Sequence, residues 1–188
     1  MLAYVFWHWR KEGIKLEEYE NDLTQFHRTL NLNKSPGFTS STVFEIDRAD
    51  WLAAPSTAYE EWYLLTGSAA MDPLNYAAVH GACEEPHNRV ARNAAGGTGG
   101  LYRLRCGSEG LSKARHAMWL NKPEGVSYTD FYKSLEPLVE HTGSAFWGRQ
   151  MTLGPTTEFC LHSVDSIELP AGLQGKNYSL DLIWTAGS

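Results

Sequence analysis

The order of apolar and polar residues divides the chain into two similar stretches, each made of a strand, a turn and a helix. Residues 4–10 and 116–122 are rich in aromatic and apolar side chains, as β-strands are. Each ends on a basic residue and precedes a Glu-Gly pair, where glycine can adopt positive φ. Apolar residues then recur at helical spacing, which predicts amphipathic helices. The helical positions are Leu16, Tyr19, Leu23, Phe26 and Leu30 in the first stretch, and Tyr128, Phe131, Leu135, Leu138 and Val139 in the second.

These two stretches align with each other without gaps. Residues 6–23 align with residues 118–135 at a constant offset. The identical pairs are Trp7 with Trp119, Glu12 with Glu124, Gly13 with Gly125, and Leu23 with Leu135. Because the identities coincide with the same strand, turn and helix pattern, the sequence predicts an internal duplication.

Further strand and helix patterns follow each stretch. A short helix near residues 72–80 has Pro73 in its first turn, where proline is favoured. The predicted strands are residues 38–46, 59–65 and 101–106 in the first half, and 145–151, 157–163 and 178–185 in the second. The order β-α-β-β-α-β, then a copy without most of its second helix, predicts an α+β fold. Its parts are two ferredoxin-like (split βαβ) units with antiparallel sheets.

Two segments do not follow the periodic patterns. Residues 83–100, which contain GGTGG, have neither helical nor strand periodicity. They predict a long loop, either a glycine-rich linker or a lid over a site. Pro137 lies inside the second helical pattern and is expected to kink or split that helix. With the internal duplication, the sequence predicts two units: residues 1–108, which include the loop at 83–100, and residues 109–188.

The segment KPEGVSYTDFYKSLEPLVE, residues 122–140, places a basic residue and a glycine turn before an aromatic-rich helix. With the repeated ferredoxin-like pattern, it resembles the dimeric α/β-barrel superfamily, most nearly its EthD-like members. Glu124 and Pro137 depart from the usual Lys/Arg-Pro-Gly turn and helix of that family. The resemblance implies two sheets packed face to face as a barrel with helices outside, closed within one chain or between two. It also implies small aromatic or polyketide-like substrates and cofactor-free monooxygenases, isomerases, lyases or dehydratases, with haem enzymes among the relatives.

Composition and charge narrow the classes of partner. Hydrophobic residues make up 43% and charged residues 20%, as in globular proteins, and the net charge is −6 without a dense Lys/Arg cluster. Nucleic acid is therefore not an expected partner. No run approaches the roughly 20 apolar residues of a membrane helix, and no signal peptide is recognisable, so no membrane partner is expected.

Cysteine and tryptophan usage add two expectations. The three cysteines, Cys83, Cys106 and Cys160, share no CxxC spacing, which favours a reducing compartment and a cytoplasmic protein. Seven tryptophans favour an aromatic cavity or an oligomer such as a homodimer.

Alternation along the first strand points to candidate catalytic residues. Tyr4 and His8 share one face, and Trp7 and Trp9 share the other. The copies agree at Trp7 but differ at Tyr4, whose counterpart is His116. We predict His8 and His116 as acid/base catalysts, because imidazole titrates near neutral pH, and Tyr4, Trp7 and Trp9 as substrate-binding residues. Alternatively, both histidines are structural.

Three further groups are candidates for binding. Arg103 and Arg105 share a face of the strand expected beside the first, and would bind a carboxylate or enolate or protect an edge strand. Glu158, Cys160 and His162 share a strand face and form a weaker candidate for a transition-metal site. Two histidines of the first half, His80 and His87, are candidate axial ligands of a non-covalent haem.

The function that these patterns favour is a small-molecule enzyme acting by histidine acid/base chemistry on an aromatic or polyketide-like substrate. Isomerase, lyase or dehydratase, and monooxygenase reactions remain open, and no cofactor is expected. One alternative is a non-catalytic small-molecule-binding or oligomeric accessory protein. Another is a barrel enzyme that binds haem or a metal.

Overall fold

The computed structural model describes residues 1–54, 57–140, 144–152, 154 and 156–186. In these parts of the chain, eight β-strands form a closed barrel and four α-helices pack outside it. The strands are β1 Leu2–Arg10, β2 Phe38–Ile46, β3 Ala58–Leu65, β4 Ala94–Gly107, β5 His116–Leu120, β6 Ala145–Thr152, β7 Phe159–Ser163 and β8 Gly175–Thr185. The helices are α1 Leu16–Leu32, α2 Met71–Val79, α3 Glu84–Asn93 and α4 Tyr128–Val139.

All neighbouring strands of the barrel are antiparallel, and the barrel closes within a single chain. Around the ring the order is β1-β3-β2-β8-β5-β7-β6-β4, and β4 pairs with β1 to complete it. The first four strands are thus adjacent in the order β4-β1-β3-β2, and the last four in the order β8-β5-β7-β6. Because β1 and β5 stand four steps apart in an antiparallel ring, they run in the same direction and finish at the same end of the barrel.

Large aromatic side chains fill the barrel lumen. Alternate residues of each strand point inward, and Trp7, Trp62, Trp119, Trp147 and Tyr102 meet there with at most 1% of each exposed. The rings of Trp7 and Trp119 lie 5.4 Å apart at 65°. The aligned tryptophans of the two stretches therefore pack against each other in the centre of the barrel.

The outer face of the barrel is covered differently in its two halves. Phe26 of α1 and Leu74 of α2 pack on the first-half strands, while Phe131 and Leu135 of α4 pack on β5, β6 and β7. Between β7 and β8 the described chain has no helix, as predicted, and Leu169 of that segment helps to cover the sheet. Among the described residues, no helix has the length and apolar character needed to cross a membrane.

Most of the predicted elements are present. The helix predicted near residues 72–80 is α2, and the predicted strands match β1 to β8 apart from a few terminal residues and a longer β4. Pro137 does not split α4, because it lies in the last turn and the helix ends two residues later. Ser127 caps this helix by accepting the backbone N–H of Asp130.

The prediction of a loop at residues 83–100 is wrong. Residues Glu84–Asn93 form α3, and the glycine-rich remainder is the first half of β4, paired with β1. A Cβ atom on Gly97 would lie 2.4 Å from Cζ of Phe6, and one on Gly96 would lie 2.7 Å from the ring of Trp9. The glycines therefore let aromatic rings of β1 lie across β4, and such a strand carries no side-chain alternation of its own.

The two Glu-Gly turns are built alike. Gly13 and Gly125 have φ values of +84° and +77°, which favour glycine. Arg10 Nη1 donates to the backbone oxygen of residue 14 at 2.7 Å, and Lys122 Nζ donates to that of residue 126 at 2.7 Å. In both stretches the basic residue that ends the strand thus closes the turn before the helix.

Candidate active site

A cavity of about 780 Å³ lies between the outer face of the barrel and the helices that cover its first half. Tyr4, Phe6 and His8 of β1 and Glu61 and Tyr63 of β3 form the sheet side of this cavity. Helices α2 and α3, one aromatic residue of α1 and the start of β4 form the remaining walls. The volume falls in the range of small-molecule binding pockets.

A buried carboxylate, that of Glu61, lies at the centre of the sheet side. His8 Nε2 is 2.8 Å from Glu61 Oε1, and His27 Nε2 is 3.3 Å from the same oxygen. The hydroxyl of Tyr63 donates to Oε2. His8 Nδ1 is 2.6 Å from the hydroxyl of Tyr19. Because an ionised carboxylate only accepts, neutral His8 carries its proton on Nε2 and accepts from Tyr19 at Nδ1.

Electrostatics keep this carboxylate ionised. Burial raises the pKa of Glu61, but the neighbouring His8 and His27 outweigh burial and hold that pKa well below its usual range. Burial and the charge of Glu61 raise the pKa of Tyr63 well above its ordinary value, and raise the pKa of Tyr4 to about 12. At neutral pH the site therefore presents one carboxylate anion among neutral phenol groups.

The local sequence explains why these side chains converge. Strand β3, AYEEWYLL, is buried on both faces, and alternation directs Glu60 into the lumen and Glu61 towards the helices. Tyr19 and His27 are buried on α1 and lie slightly more than two turns apart, so both face the sheet. His27 Nδ1 is 2.8 Å from Ser41 Oγ, and this contact orients the ring so that Nε2 faces Glu61.

The helical wall of the cavity is mainly apolar. Three polar side chains, those of Asp72 and Asn75 on α2 and His87 on α3, also line it. The remaining lining residues of α2 and α3 are Met71, Leu74, Ala78, Val79, Val90 and Ala91, and α1 contributes Phe26. The cavity therefore combines a mainly apolar helical wall with a polar sheet side centred on Glu61.

A second buried carboxylate, that of Glu60, lies on the lumen side of the same strand. Trp7 Nε1 and Trp62 Nε1 each donate to it at 2.7 Å, and His162 Nε2 is 3.6 Å away. Glu60 is fully buried and does not line the cavity. Its contacts satisfy two indole N–H groups in the core, which is a structural role.

The predicted residues of the first strand lie on both sides of the barrel wall. Tyr4 and His8 line the cavity. Trp7 and Trp9 instead pack into the lumen, Trp9 near its end, and neither lines the cavity. His116 begins β5 in the other half of the barrel, where its Nδ1 lies 3.4 Å from the side-chain amide of Asn177. The fold does not bring His116 to His8.

The two predicted arginines lie on the exposed side of β4, outside the cavity. Arg103 Nε donates to Gln150 at 3.0 Å, and the guanidinium of Arg105 lies 6.0 Å from the ring centroid of Tyr132. The alternative that they protect an edge strand is wrong, because β4 pairs with both β1 and β6.

The candidate metal and haem ligands are separated by the fold. Cys160 and His162 face the lumen, whereas Glu158 precedes β7 and accepts a hydrogen bond from the Tyr128 hydroxyl. No cluster of three histidine, cysteine or acidic side chains within the described ranges is placed to hold a metal ion. Of the two candidate haem ligands, only His87 lines the cavity, since His80 is exposed and stacks on a tyrosine.

Four residues of the site were not predicted from the sequence: Glu61, Tyr63, Tyr19 and His27. The available signal was the pair of adjacent glutamates inside the otherwise apolar AYEEWYLL, because buried carboxylates require partners. Tyr19 was predicted as an apolar position of the first helix, and it is buried, but its hydroxyl contact with His8 has no sequence signature.

The geometry is suited to proton transfer. When His8 accepts a proton, the negative charge of Glu61, 2.8 Å away, balances the positive charge that the imidazole gains. His27 supplies a second imidazole on the same carboxylate. The Tyr63 hydroxyl already donates to Glu61, so the Tyr4 hydroxyl, which borders the cavity, is the tyrosine donor for a developing oxyanion on a bound molecule.

Comparisons with known proteins show the fold. Neither protein-family models nor curated proteins give a match to the sequence. Among solved structures, a candidate monooxygenase of Fusobacterium nucleatum matches with a TM-score of 0.64 at 13% identity, over 98% of this chain and 93% of that one. A candidate monooxygenase of Lactobacillus acidophilus matches with a TM-score of 0.56 at 11% identity, over 98% and 95%. An anthrone oxidase-like protein matches with a TM-score of 0.55 at 10% identity, over 100% and 94%. The chain therefore shares the barrel fold of these three proteins.

Proposed function

We propose that this protein is a small-molecule oxygenase whose active site is the cavity between the barrel and helices α1 to α3. The observation that carries the proposal is the buried Glu61 carboxylate, held by His8, His27 and Tyr63 on the polar side of an otherwise apolar cavity. The names of the structural neighbours, monooxygenase and anthrone oxidase-like, support oxygenation over isomerisation, dehydration or other lyase chemistry.

The proposed substrate is a flat, electron-rich aromatic or polyketide-like molecule with an acidic C–H group. The proton network removes a proton from an activated methylene, and the resulting carbanion transfers electrons to dioxygen. One oxygen atom remains as a carbonyl and the other leaves as water, so R₂CH₂ and O₂ give R₂C=O and H₂O. The methylene loses four electrons and dioxygen gains four, and no external electron donor is needed.

Each residue of the network has a proposed role in this reaction. His8 receives the substrate proton at Nδ1 through the hydroxyl of Tyr19, because its Nε2 already donates to Glu61, and Glu61 balances the resulting charge. Tyr4, whose ring lies against that of Tyr63, donates a hydrogen bond to the substrate oxyanion. His27 orients Glu61 and is itself oriented by Ser41.

We propose that the reaction proceeds without a resident cofactor. Two points support this: the reaction written above needs no external electron donor, and the proton network supplies the acid–base chemistry. The absorption spectrum of the purified protein tests this point. A Soret band would instead favour the haem alternative, with His87 as the candidate axial ligand in the cavity.

The catalytic proposal is tested by oxygen uptake with a panel of hydroxylated tricyclic ketones that carry an activated methylene. We expect kcat to fall about 100-fold or more in His8→Gln and Glu61→Gln, as for loss of general acid–base catalysis. His116→Gln is the matched control, because this histidine lies in the other half of the barrel, and it should keep kcat within about twofold. Equal losses in His8→Gln and His116→Gln would contradict the assigned site. Substrate binding without oxygen uptake would favour the non-catalytic binding protein.

We further propose that the chain is two fused ferredoxin-like units of the EthD-like type, with the boundary near residue 108. Support comes from the equivalent strand orders of the two halves, the paired positive-φ glycines and the paired basic residues that close the turns. Because the barrel closes within one chain, the unit that folds does not need a second copy. Light scattering of the purified protein tests the homodimer that the tryptophan content favours.

A further inference from the structure

A second cavity, of about 890 Å³, lies at the end of the barrel where β5 finishes and β8 begins. Its aromatic lining is Trp51, Trp119 and Tyr178, with Trp51 in edge-on contact with both other rings. Lys122 and Lys176 are among its polar lining residues. None of its lining residues belongs to the candidate active site.

A difference between the two aligned stretches accounts for this cavity. Strands β1 and β5 finish at the same end of the barrel, so Trp9 and its aligned counterpart Asn121 stand at equivalent places there. The Trp9 ring packs against the barrel core and over Gly96, and so fills its side of the opening. Asn121, which lines the cavity, has a much smaller side chain and leaves the other side open.

The charged groups of this cavity favour an anionic ligand. Lys176 Nζ is 2.6 Å from Asp50 Oδ1, so this pair is neutral overall. Lys122 Nζ donates to the backbone oxygens of residues 123 and 126 and forms no salt bridge with any acidic residue in the described ranges. Lys122 Nζ also lies 5.2 Å from the ring centroid of Tyr128. The charged lining residues are thus two lysines and one aspartate, which give this aromatic cavity one net positive charge.

The aromatic lining also has unmet hydrogen-bonding capacity. The buried Nε1 atoms of Trp51 and Trp119 have no hydrogen-bond partner in the described part of the chain. In the lumen, by contrast, the Nε1 atoms of Trp7 and Trp62 both donate to Glu60. Both Nε1 atoms are buried, so a ligand in this cavity contacts the surfaces of these rings and does not reach their N–H groups.

We infer that this cavity is a second binding site, for a planar organic anion such as an aromatic carboxylate. The ring of the ligand stacks in the aromatic lining and its carboxylate faces the ammonium group of Lys122. The inference does not depend on the proposed oxygenase activity, because the two cavities share no residue.

The test is a calorimetric titration of the chain of residues 1–188 with 2-naphthoate, and with neutral 2-naphthamide as the matched ligand. We expect 2-naphthoate to bind with an affinity that falls as salt is added, and 2-naphthamide to bind at least tenfold more weakly. Asn121→Trp, which places in the second stretch the residue found in the first, should abolish binding by filling the cavity.

Two further variants keep the result interpretable. Lys176→Met, at an exposed position, leaves the carboxylate of Asp50 unpaired beside the cavity and should therefore weaken 2-naphthoate binding about fivefold. Ala78→Trp narrows the candidate active site and should leave this binding unchanged. Unaltered binding in Asn121→Trp, equal binding of the amide, or no binding to the wild type at millimolar concentration would each overturn the inference. Loss of binding in Ala78→Trp alone would do the same, because it would assign the ligand to the other cavity.

Discussion

The glycine-rich half of β4 makes a quantitative prediction at Gly97. A methyl group at this position would lie 2.4 Å from Phe6 Cζ and 2.9 Å from the backbone oxygen of Trp7. Both distances are far below van der Waals contact, so Gly97→Ala must displace the Phe6 ring and shift the backbone of β1. The ring must move on the outer face of the barrel, where it lines the cavity, because the backbone of β1 is paired on both sides.

The expected loss follows from known effects of overpacking. Inserting a methyl group into such a contact destabilises by about 1–3 kcal/mol. For a domain of this length each kcal/mol lowers Tm by about 2–4 °C, so we expect Gly97→Ala to melt roughly 2–12 °C below the wild type. Urea denaturation measures the free energy of unfolding, and ligand titration should show weaker binding in the candidate active site because Phe6 then occupies part of it.

Gly67→Ala is the matched control for this prediction. Gly67 has an extended φ of 177° and a Cβ atom there would meet nothing within 4 Å. We expect that variant to lie within about 0.5 kcal/mol of the wild type. The double variant Phe6→Ala/Gly97→Ala should lose less than the sum of its single variants, because the ring that clashes is absent. A Gly97→Ala protein as stable as the control, with unchanged ligand affinity, would refute the reasoning.

Three other predictions follow from the buried polar groups and the turns. Burial raises the pKa of Glu61, but His8 and His27 lower it more, so ionised Glu61 stabilises the fold fully above about pH 4.5, and this stabilisation is lost as the pH falls towards the pKa of the folded state. Urea denaturation between pH 7 and pH 3 should therefore show a larger loss in the free energy of unfolding for the wild type than for Glu61→Gln. Trp7→Phe removes an indole donor to Glu60, whereas Trp147→Phe removes an equally buried Nε1 that has no partner in the described chain, so Trp7→Phe should lower the free energy of unfolding by about 1.5–3 kcal/mol more. Similar losses for the two variants in calorimetric melting would contradict this role for Glu60. A Cβ atom on Gly125 would meet no neighbouring atom, so Gly125→Ala should lower the free energy of unfolding by about 1–2 kcal/mol through backbone strain at φ of +77° alone. An unchanged free energy of unfolding would exclude this strain.

The parts of the fold that could be predicted were those whose signal is local. Apolar runs, helical spacing and the Glu-Gly turns indicated most strands and helices, because each of these patterns is a property of the segment itself. The first half of β4 could not be found in this way, since its glycines are explained by rings of β1 more than 80 residues earlier. Helix α3 did carry local signals, with Glu84 and Glu85 in its first turn and Arg92 in its last, and these were outweighed by the neighbouring glycines.

The candidate site was predictable only where one strand determines it. Alternation along β1 separated Tyr4 and His8 from Trp7 and Trp9, and the first pair does line the cavity. The other members of the network are contributed by α1 and β3, and their meeting depends on how a helix packs on a sheet. Sequence spacing carries no information on such contacts. His116 was therefore predicted as a catalyst alongside His8, and the two arginines as substrate-binding residues, although the fold places all three outside the cavity.

The places where the two stretches differ are the places where cavities form. In the first half, helices α2 and α3 stand away from the sheet over His8, whereas in the second half Leu120, the counterpart of His8, is buried beneath Leu169 and α4. At the end of the barrel the relation is reversed, because Trp9 fills the first-half side and Asn121 leaves the other side open. On our proposal of duplication, the tryptophans that both copies share, Trp7 and Trp119, maintain the barrel core, and each copy lost side-chain packing at a different place. Restoring the missing bulk at either place should therefore abolish binding in that cavity and leave the other intact.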